Sequence, residues 1–233
     1  MTVDLPIALG LFSLAAVTIV VAAMFLTTAA DIIATRMGLG RLWVGSLLLA
    51  GATSLPELAT AIAASLEGSA KLAAGNIFGA NMLNMSNLAI LLALLGGRQV
   101  FQKLAPQQTL VAVSAIALTG IATLFAASKT DVTWLAVSMP GAAIIAIYVV
   151  LSGVLRKLSM TTAEEQTEGE ASAHSLRWAW MVFIACAAVI FVSGPLLAFS
   201  AQRIADLTGI GASFIGVLAL AMVTTLPELT TTF

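Results

Sequence analysis

The sequence predicts an all-α membrane protein, a transmembrane helical bundle with inverted-topology repeats. Three observations predict it: a shortage of polar residues, a series of apolar segments long enough to cross a bilayer, and a motif that recurs after an odd number of those segments.

Of the 233 residues, 60% are hydrophobic and 9% are charged, and the mean hydropathy is +1.06. A soluble domain carries about 25% charged residues. A chain this poor in charge cannot cover its surface in water, whereas a bilayer removes that requirement. The lipid bilayer is thus the expected partner; the formal net charge of −1 says nothing about a nucleic acid, and with no basic patch none is expected. Cys186 is the single cysteine and lies inside an apolar run, so no intrachain disulfide is expected. Residues Met1 to Asp4 lack a basic n-region, and the apolar stretch behind them is too long for a signal peptide's core.

The apolar segments run over about 5–34, 42–66, 71–95, 108–128, 132–155 and 178–205, with a seventh beginning near 212. Each of the first six is close to or above the ~20 residues that span the hydrocarbon core as a helix. The first and sixth are the longest, which implies tilt or extension beyond the bilayer. One polar connection, 156–177, stands out; it holds Arg156, Lys157, Glu164, Glu165, Glu168, Glu170, His174 and Arg177. Its glutamates lack the alternating spacing and glycine of an EF-hand loop, so it reads as a solvated linker.

Lys and Arg set the orientation. With the N-terminus outside, the cytoplasmic side receives Arg36, Arg41, Arg98, Lys103, Arg156, Lys157 and Arg177, against Lys71, Lys129 and Arg203 outside. The linker is therefore expected in the cytoplasm. Ser159→Cys should react with an impermeant thiol reagent from the cytoplasmic face, and Thr2→Cys from the external face. Labelling of position 159 in intact cells would overturn this orientation.

The repeat is found by aligning residues 21–62 to 192–233 without gaps, which gives 17 identities in 42 pairs. Gly38, Gly40, Gly45, Thr53, Pro56 and Glu57 match Gly209, Gly211, Gly216, Thr224, Pro227 and Glu228. The offset contains five spans, so the second copy enters the membrane from the opposite side. Inverted copies of this kind are a transporter signature that few channels or receptors carry, with the substrate site expected near the midplane. The corresponding organisation is a first repeat over 1–155, the linker over 156–177 and a second repeat over 178–233. The motif segments are 42–95 and 212–233.

The motif itself reads Ala50-Gly51-Ala52-Thr53-Ser54-Leu55-Pro56-Glu57-Leu58, then Ala221-Met222-Val223-Thr224-Thr225-Leu226-Pro227-Glu228-Leu229. Pro56 has no N–H, so the carbonyl near Ala52 loses its helical partner. Thr53 and Glu57 are four apart and share a face, with Ser54 beside them. One turn thus offers hydroxyls, loose carbonyls and a carboxylate, the oxygen set of a hard cation. Glu57 and Glu228 are the acidic residues deep within the spans, where an uncompensated charge costs about 2.5–3.5 kcal/mol or more. A helix-packing glutamate, protonated or hydrogen-bonded, is the bland reading. Recurrence in inverted copies beside Pro and Thr favours an ion site, and two carboxylates neutralise one divalent ion. No His or Cys accompanies them, which argues against zinc or copper.

The third segment reads Gly75-Asn76-Ile77-Phe78-Gly79-Ala80-Asn81-Met82-Leu83-Asn84-Met85-Ser86-Asn87. Asn76, Ala80, Asn84 and Asn87 fall on one narrow helical face, and Asn81 points elsewhere. Gly75 and Gly79 permit close helix approach. Interhelical hydrogen bonding suits Asn81 and Asn87; an ion ligand is favoured for Asn84.

These motifs resemble the first α-repeat of cation/calcium exchangers, and the second Leu-Pro-Glu resembles the opening half of their second α-repeat. The resemblance to the sodium/calcium exchanger superfamily covers essentially the whole chain. It implies a ten-helix fold, of which seven are present here, with helices two, three, seven and eight holding the ions. It implies that the long first and sixth helices slide past that bundle. Carried over by position, Thr53, Ser54, Glu57, Asn84, Thr224, Thr225 and Glu228 would be ion ligands, with backbone oxygens of Ala50 and Ala221. The transported ions would be calcium and sodium, with no covalent cofactor, in the cell (inner) membrane.

Two departures from the family pattern stand out. Ala80 occupies the place of a serine, so one hydroxyl ligand of a sodium site is missing. The partner of Asn84 in the second repeat would fall near position 255, so the chain is expected to be a fragment, or a half-exchanger completed by a second copy of the chain. Secondary antiport of calcium against sodium is the leading expectation. A proton-coupled or potassium-dependent relative and a non-transporting remnant are the alternatives. No nucleophile–base set or nucleotide loop is present, so no enzyme activity is expected.

Overall fold

The computed structural model describes residues 4–37, 48–94, 106–128, 133–134, 137–160 and 175–232. Helix α1 covers Leu5–Met37, α2 Leu55–Leu66, α3 Ala70–Leu94, α4 Pro106–Ser128, α5 Met139–Met160 and α6 Leu176–Thr208. A helical stretch over 48–53 leads through a turn at Ser54 into α2. The last segment is continuous: α7 (Ala212–Ile215), a π-helical turn (Gly216–Leu220) and α8 (Ala221–Thr232). The glycines expected at 38, 40 and 45, and the linker glutamates with His174, lie outside the described residues.

The described residues of the apolar segments are largely helical, and α1, α3 and α6 are long and apolar enough to cross a membrane. One boundary differs from the expectation. The fifth segment was expected over 132–155, but α5 begins at Met139, preceded by an antiparallel pairing of Thr133–Trp134 with Val137–Ser138. Pro140 explains the shift. In a helix starting at 132 it would be an interior break, whereas in the first turn its missing N–H removes no bond. Hydropathy alone does not register this.

The described chain forms two compact units, residues 1–93 with 169–233, and residues 94–168. In the second unit α4 and α5 pack on each other. The first unit contains segments from both sequence repeats, so compactness does not follow the repeat boundary.

In the first unit α1 and α6, each of 33 residues, form the longest contact. Ala8, Ala15 and Ile19 pack with Leu197, Ala198, Ala201, Ile204 and Ala205, while Ile32 and Ile33 meet Ala179. The start of one helix therefore meets the end of the other, and the pair is antiparallel. Alanines dominate this seam. Lipid tails are as apolar as leucine, so close van der Waals approach through small residues holds such helices together. The hydroxyls of Thr27 and Thr28 donate to the carbonyls of Ala23 and Met24 at 2.8 and 3.0 Å, which satisfies them without leaving the helix. Leu14, Val17 and Val192 are more than three-fifths exposed, as expected of faces whose solvent is lipid. At its end α6 is capped by Gly209 in the left-handed region, with φ of 72°.

The motif helices attach crosswise to this pair: α2 packs on α6, and α8 packs on α1. Gly194 of α6 lets α2 approach closely, since a Cβ there would sit 3.1 Å from the Ala59 Cβ. Helix α3 meets the α7–α8 segment still more tightly. A Cβ on Gly75 would lie 2.5 Å from the Ser213 carbonyl oxygen, and one on Gly216 2.6 Å from that of Leu72. These glycines bring the third and seventh segments into backbone contact.

Candidate functional site

Proline positions both acidic residues. Pro56 stands at the start of α2, and the helix before it breaks at Ser54; Pro227 lies inside α8, which continues through it. Glu57 follows in the first turn of α2, whereas Glu228 follows Pro227 inside α8. The local hydrogen bonds repeat as the sequence does. The Thr53 hydroxyl donates to the Ala50 carbonyl at 3.1 Å, and the Thr224 hydroxyl has the Ala221 carbonyl within reach at 3.3 Å. The Ala50 carbonyl also accepts the Ser54 N–H at 3.0 Å, and the Ala221 carbonyl accepts the Thr225 hydroxyl at 2.8 Å.

The fold brings the two copies face to face. The Glu57 carboxylate faces the Thr224 hydroxyl and stands close enough to Glu228 for their charges to act on each other. The Glu228 carboxylate faces the Thr53 hydroxyl and accepts a hydrogen bond from the Asn84 side-chain amide. Each copy's threonine thus stands beside the other copy's glutamate. Both carboxylate oxygens of Glu57 are buried, and neither accepts a hydrogen bond among the described residues. Such orphaned acceptors are costly in a low-dielectric interior unless a cation meets them. Among the described residues no group of three or more His, Cys, Asp or Glu gathers, so the negative charge of this site comes from Glu57 and Glu228.

The expected residues do not all converge equally. Thr53, Glu57, Asn84, Thr224 and Glu228 form the cluster just described. Thr225 is buried and bonds to its own helix, Ala221 is fully buried, and Ser54 and Ala50 are exposed. Oxygen donors, two charges and an amide fit a hard cation of the calcium type better than a soft metal. Asn84 fits this role physically. Its amide nitrogen is held by Glu228, which leaves its oxygen to face outward from that bond.

Sequence reasoning placed Asn76 on the ligand face without giving it a role, and passed over Thr60. Asn76 is fully buried and bonds to Thr60 and Thr224. The signal for Thr60 was present: it is one of the identities in the repeat, matching Thr231.

Fold and site together define a multi-pass integral membrane protein with two opposed, proline-bearing acidic motifs. The chain belongs to the sodium/calcium exchanger protein family, whose model matches residues 7–160 and 178–233. It is 38% identical over 81 residues to the inner membrane protein YrbG of Escherichia coli (strain K12), covering 35% of this chain and 25% of that protein. It is 35% identical over 71 residues to the sodium/calcium exchanger MaX1 of Methanosarcina acetivorans, covering 30% of this chain and 20% of the exchanger. The match thus spans a quarter or less of each relative's length. No solved structure matches the chain.

Proposed function

We propose that the protein takes part in secondary antiport, exchanging calcium for sodium across the membrane through the Glu57–Glu228 site. The observation that carries this reading is the opposed pair of carboxylates, one with both oxygens buried and without a hydrogen-bond donor. Two negative charges match one divalent ion. Thr53, Thr224 and Asn84 add neutral oxygens toward the ~6–8 that calcium takes. In this reading Ser54, Thr225 and the carbonyls of Ala50 and Ala221 complete the set as the ion-loaded site closes.

Exchange follows from competition. Calcium and sodium are both hard cations, and one set of carboxylates cannot neutralise a divalent ion and a full complement of monovalent ions together. Occupancy by one then requires release of the other, which is the coupling an antiporter needs. The antiparallel seam of α1 and α6, and the crosswise attachment of α2 and α8, support the reading of two inverted halves around one site.

A full-length version of the protein, purified into sodium-loaded liposomes and exposed to radioactive calcium, tests this. Uptake above that of empty liposomes, abolished when sodium is equalised across the membrane, is the expected result. Uptake driven instead by a proton or a potassium gradient would replace sodium as the coupling ion. No uptake under any gradient would overturn the transport reading.

A further inference from the structure

We infer that Thr60 and Asn76 form a hydrogen-bond relay that turns the Thr224 hydroxyl oxygen toward the transported cation, making Asn76 a positioning residue. The inference rests on the cation-site reading of Thr224.

A hydroxyl that ligates a cation does so through its lone pairs, so its hydrogen must be directed elsewhere. Thr224 faces the Glu57 carboxylate, the group the cation itself would engage, and hydrogen-bonds to two other acceptors, the Asn76 side-chain oxygen and the Ala221 carbonyl, both at 3.3 Å. The Ala221 carbonyl already accepts the Thr225 hydroxyl at 2.8 Å. The Asn76 oxygen is therefore the better-placed acceptor, and it comes from a different helix.

What holds the Asn76 amide that way round is the other half of the relay. Its Nδ2 donates to the Thr60 hydroxyl oxygen at 2.9 Å and to the Glu57 backbone carbonyl at 3.4 Å. Thr60 receives this bond because its own hydrogen goes to the Pro56 carbonyl, 2.8 Å away. Rotating the amide by half a turn would set two acceptors against its oxygen and a donor against its nitrogen. Thr60 and Asn76 are fully buried, so no water competes for these groups. The Pro56 and Glu57 carbonyls of the first motif thus fix, through Thr60 and Asn76, the oxygen that the second motif offers. Thr53, the counterpart of Thr224, donates to its own helix at Ala50 instead.

The test is a double-mutant cycle on calcium uptake into sodium-loaded liposomes, reading half-saturating calcium and maximal rate separately. Asn76→Ala and Thr224→Val should each raise half-saturating calcium roughly tenfold, about the worth of one hydrogen bond to a charged centre. Maximal rates should change less, and Thr224→Ser should stay near the parent. The double variant should be no worse than Thr224→Val alone, because Asn76 acts through that hydroxyl. Full additivity would overturn the relay and make Asn76 an ordinary packing residue. Thr224→Val weakened with Asn76→Ala neutral would likewise overturn the relay while leaving the site reading intact. An unchanged half-saturation in Thr224→Val would overturn both. Should Asn76→Ala fail to accumulate, the isosteric Thr60→Val carries the test. It should shift half-saturation in the same direction, and no shift would overturn the relay.

Discussion

Glu57→Gln and Glu228→Gln are each expected to abolish sodium-driven calcium uptake. Glutamine keeps the shape of the side chain and removes one of two negative charges facing a divalent ion. Truncating one partner of a buried charged pair costs on the order of 2–5 kcal/mol, or roughly 30-fold and upward in apparent affinity. The two variants should differ in one respect. At Glu228 the Asn84 amide exchanges a charged acceptor for a neutral one, so that hydrogen bond weakens. At Glu57 no hydrogen bond to the carboxylate is lost, because neither oxygen accepts one among the described residues. Glu57→Gln should therefore leave the thermal stability of the cation-free protein close to the parent's, while Glu228→Gln lowers it. Tracer uptake and thermal unfolding in detergent measure both effects. An active Glu57→Gln protein would remove the basis of the site.

Gly75→Val and Gly216→Val are expected to prevent assembly of the site altogether. Overpacking costs about 1–3 kcal/mol where side chains can yield. Here the first atoms met are backbone, the Ser213 carbonyl oxygen at 2.5 Å and the Leu72 carbonyl oxygen at 2.6 Å. A rigid helix cannot give way locally, so α3 and the α7–α8 segment must separate. Separation pulls Asn84 from Glu228 and Asn76 from Thr224 at once. Gly51→Ala is the matched comparison, since a Cβ there meets nothing within 4 Å. Loss of folded protein, read as a monodisperse peak on size exclusion, should be severe in the first two and absent in the third. Wild-type behaviour in Gly216→Val would show that the close contact does not hold the motif helices.

Much of this protein was legible before its structure. Apolar length fixes the helices, because a membrane leaves the backbone few other ways to satisfy its polar groups. The repeat is a statement about residue identity, and it picked out Thr53, Glu57, Thr224 and Glu228, which the fold then gathers. Asn84 followed from helical periodicity on the third segment, and its bond to Glu228 lies on the face that periodicity named.

What sequence could not decide is which helix touches which, and at what depth. Periodicity gives a face but not its partner, so Asn76 read as one asparagine among four until its contacts crossed from α2 to α8. The start of α5 depended on where Pro140 is tolerated rather than on hydropathy. Ser54 and Thr225 are equivalent in the repeat, yet one is exposed and the other buried, because the first motif helix breaks at Ser54 and the second continues. Residue identity determined the chemistry on offer, two carboxylates with hydroxyls and amides. Tertiary packing decided how it is shared, because a hydrogen bond depends on distances of about 3 Å that only the assembled helices set.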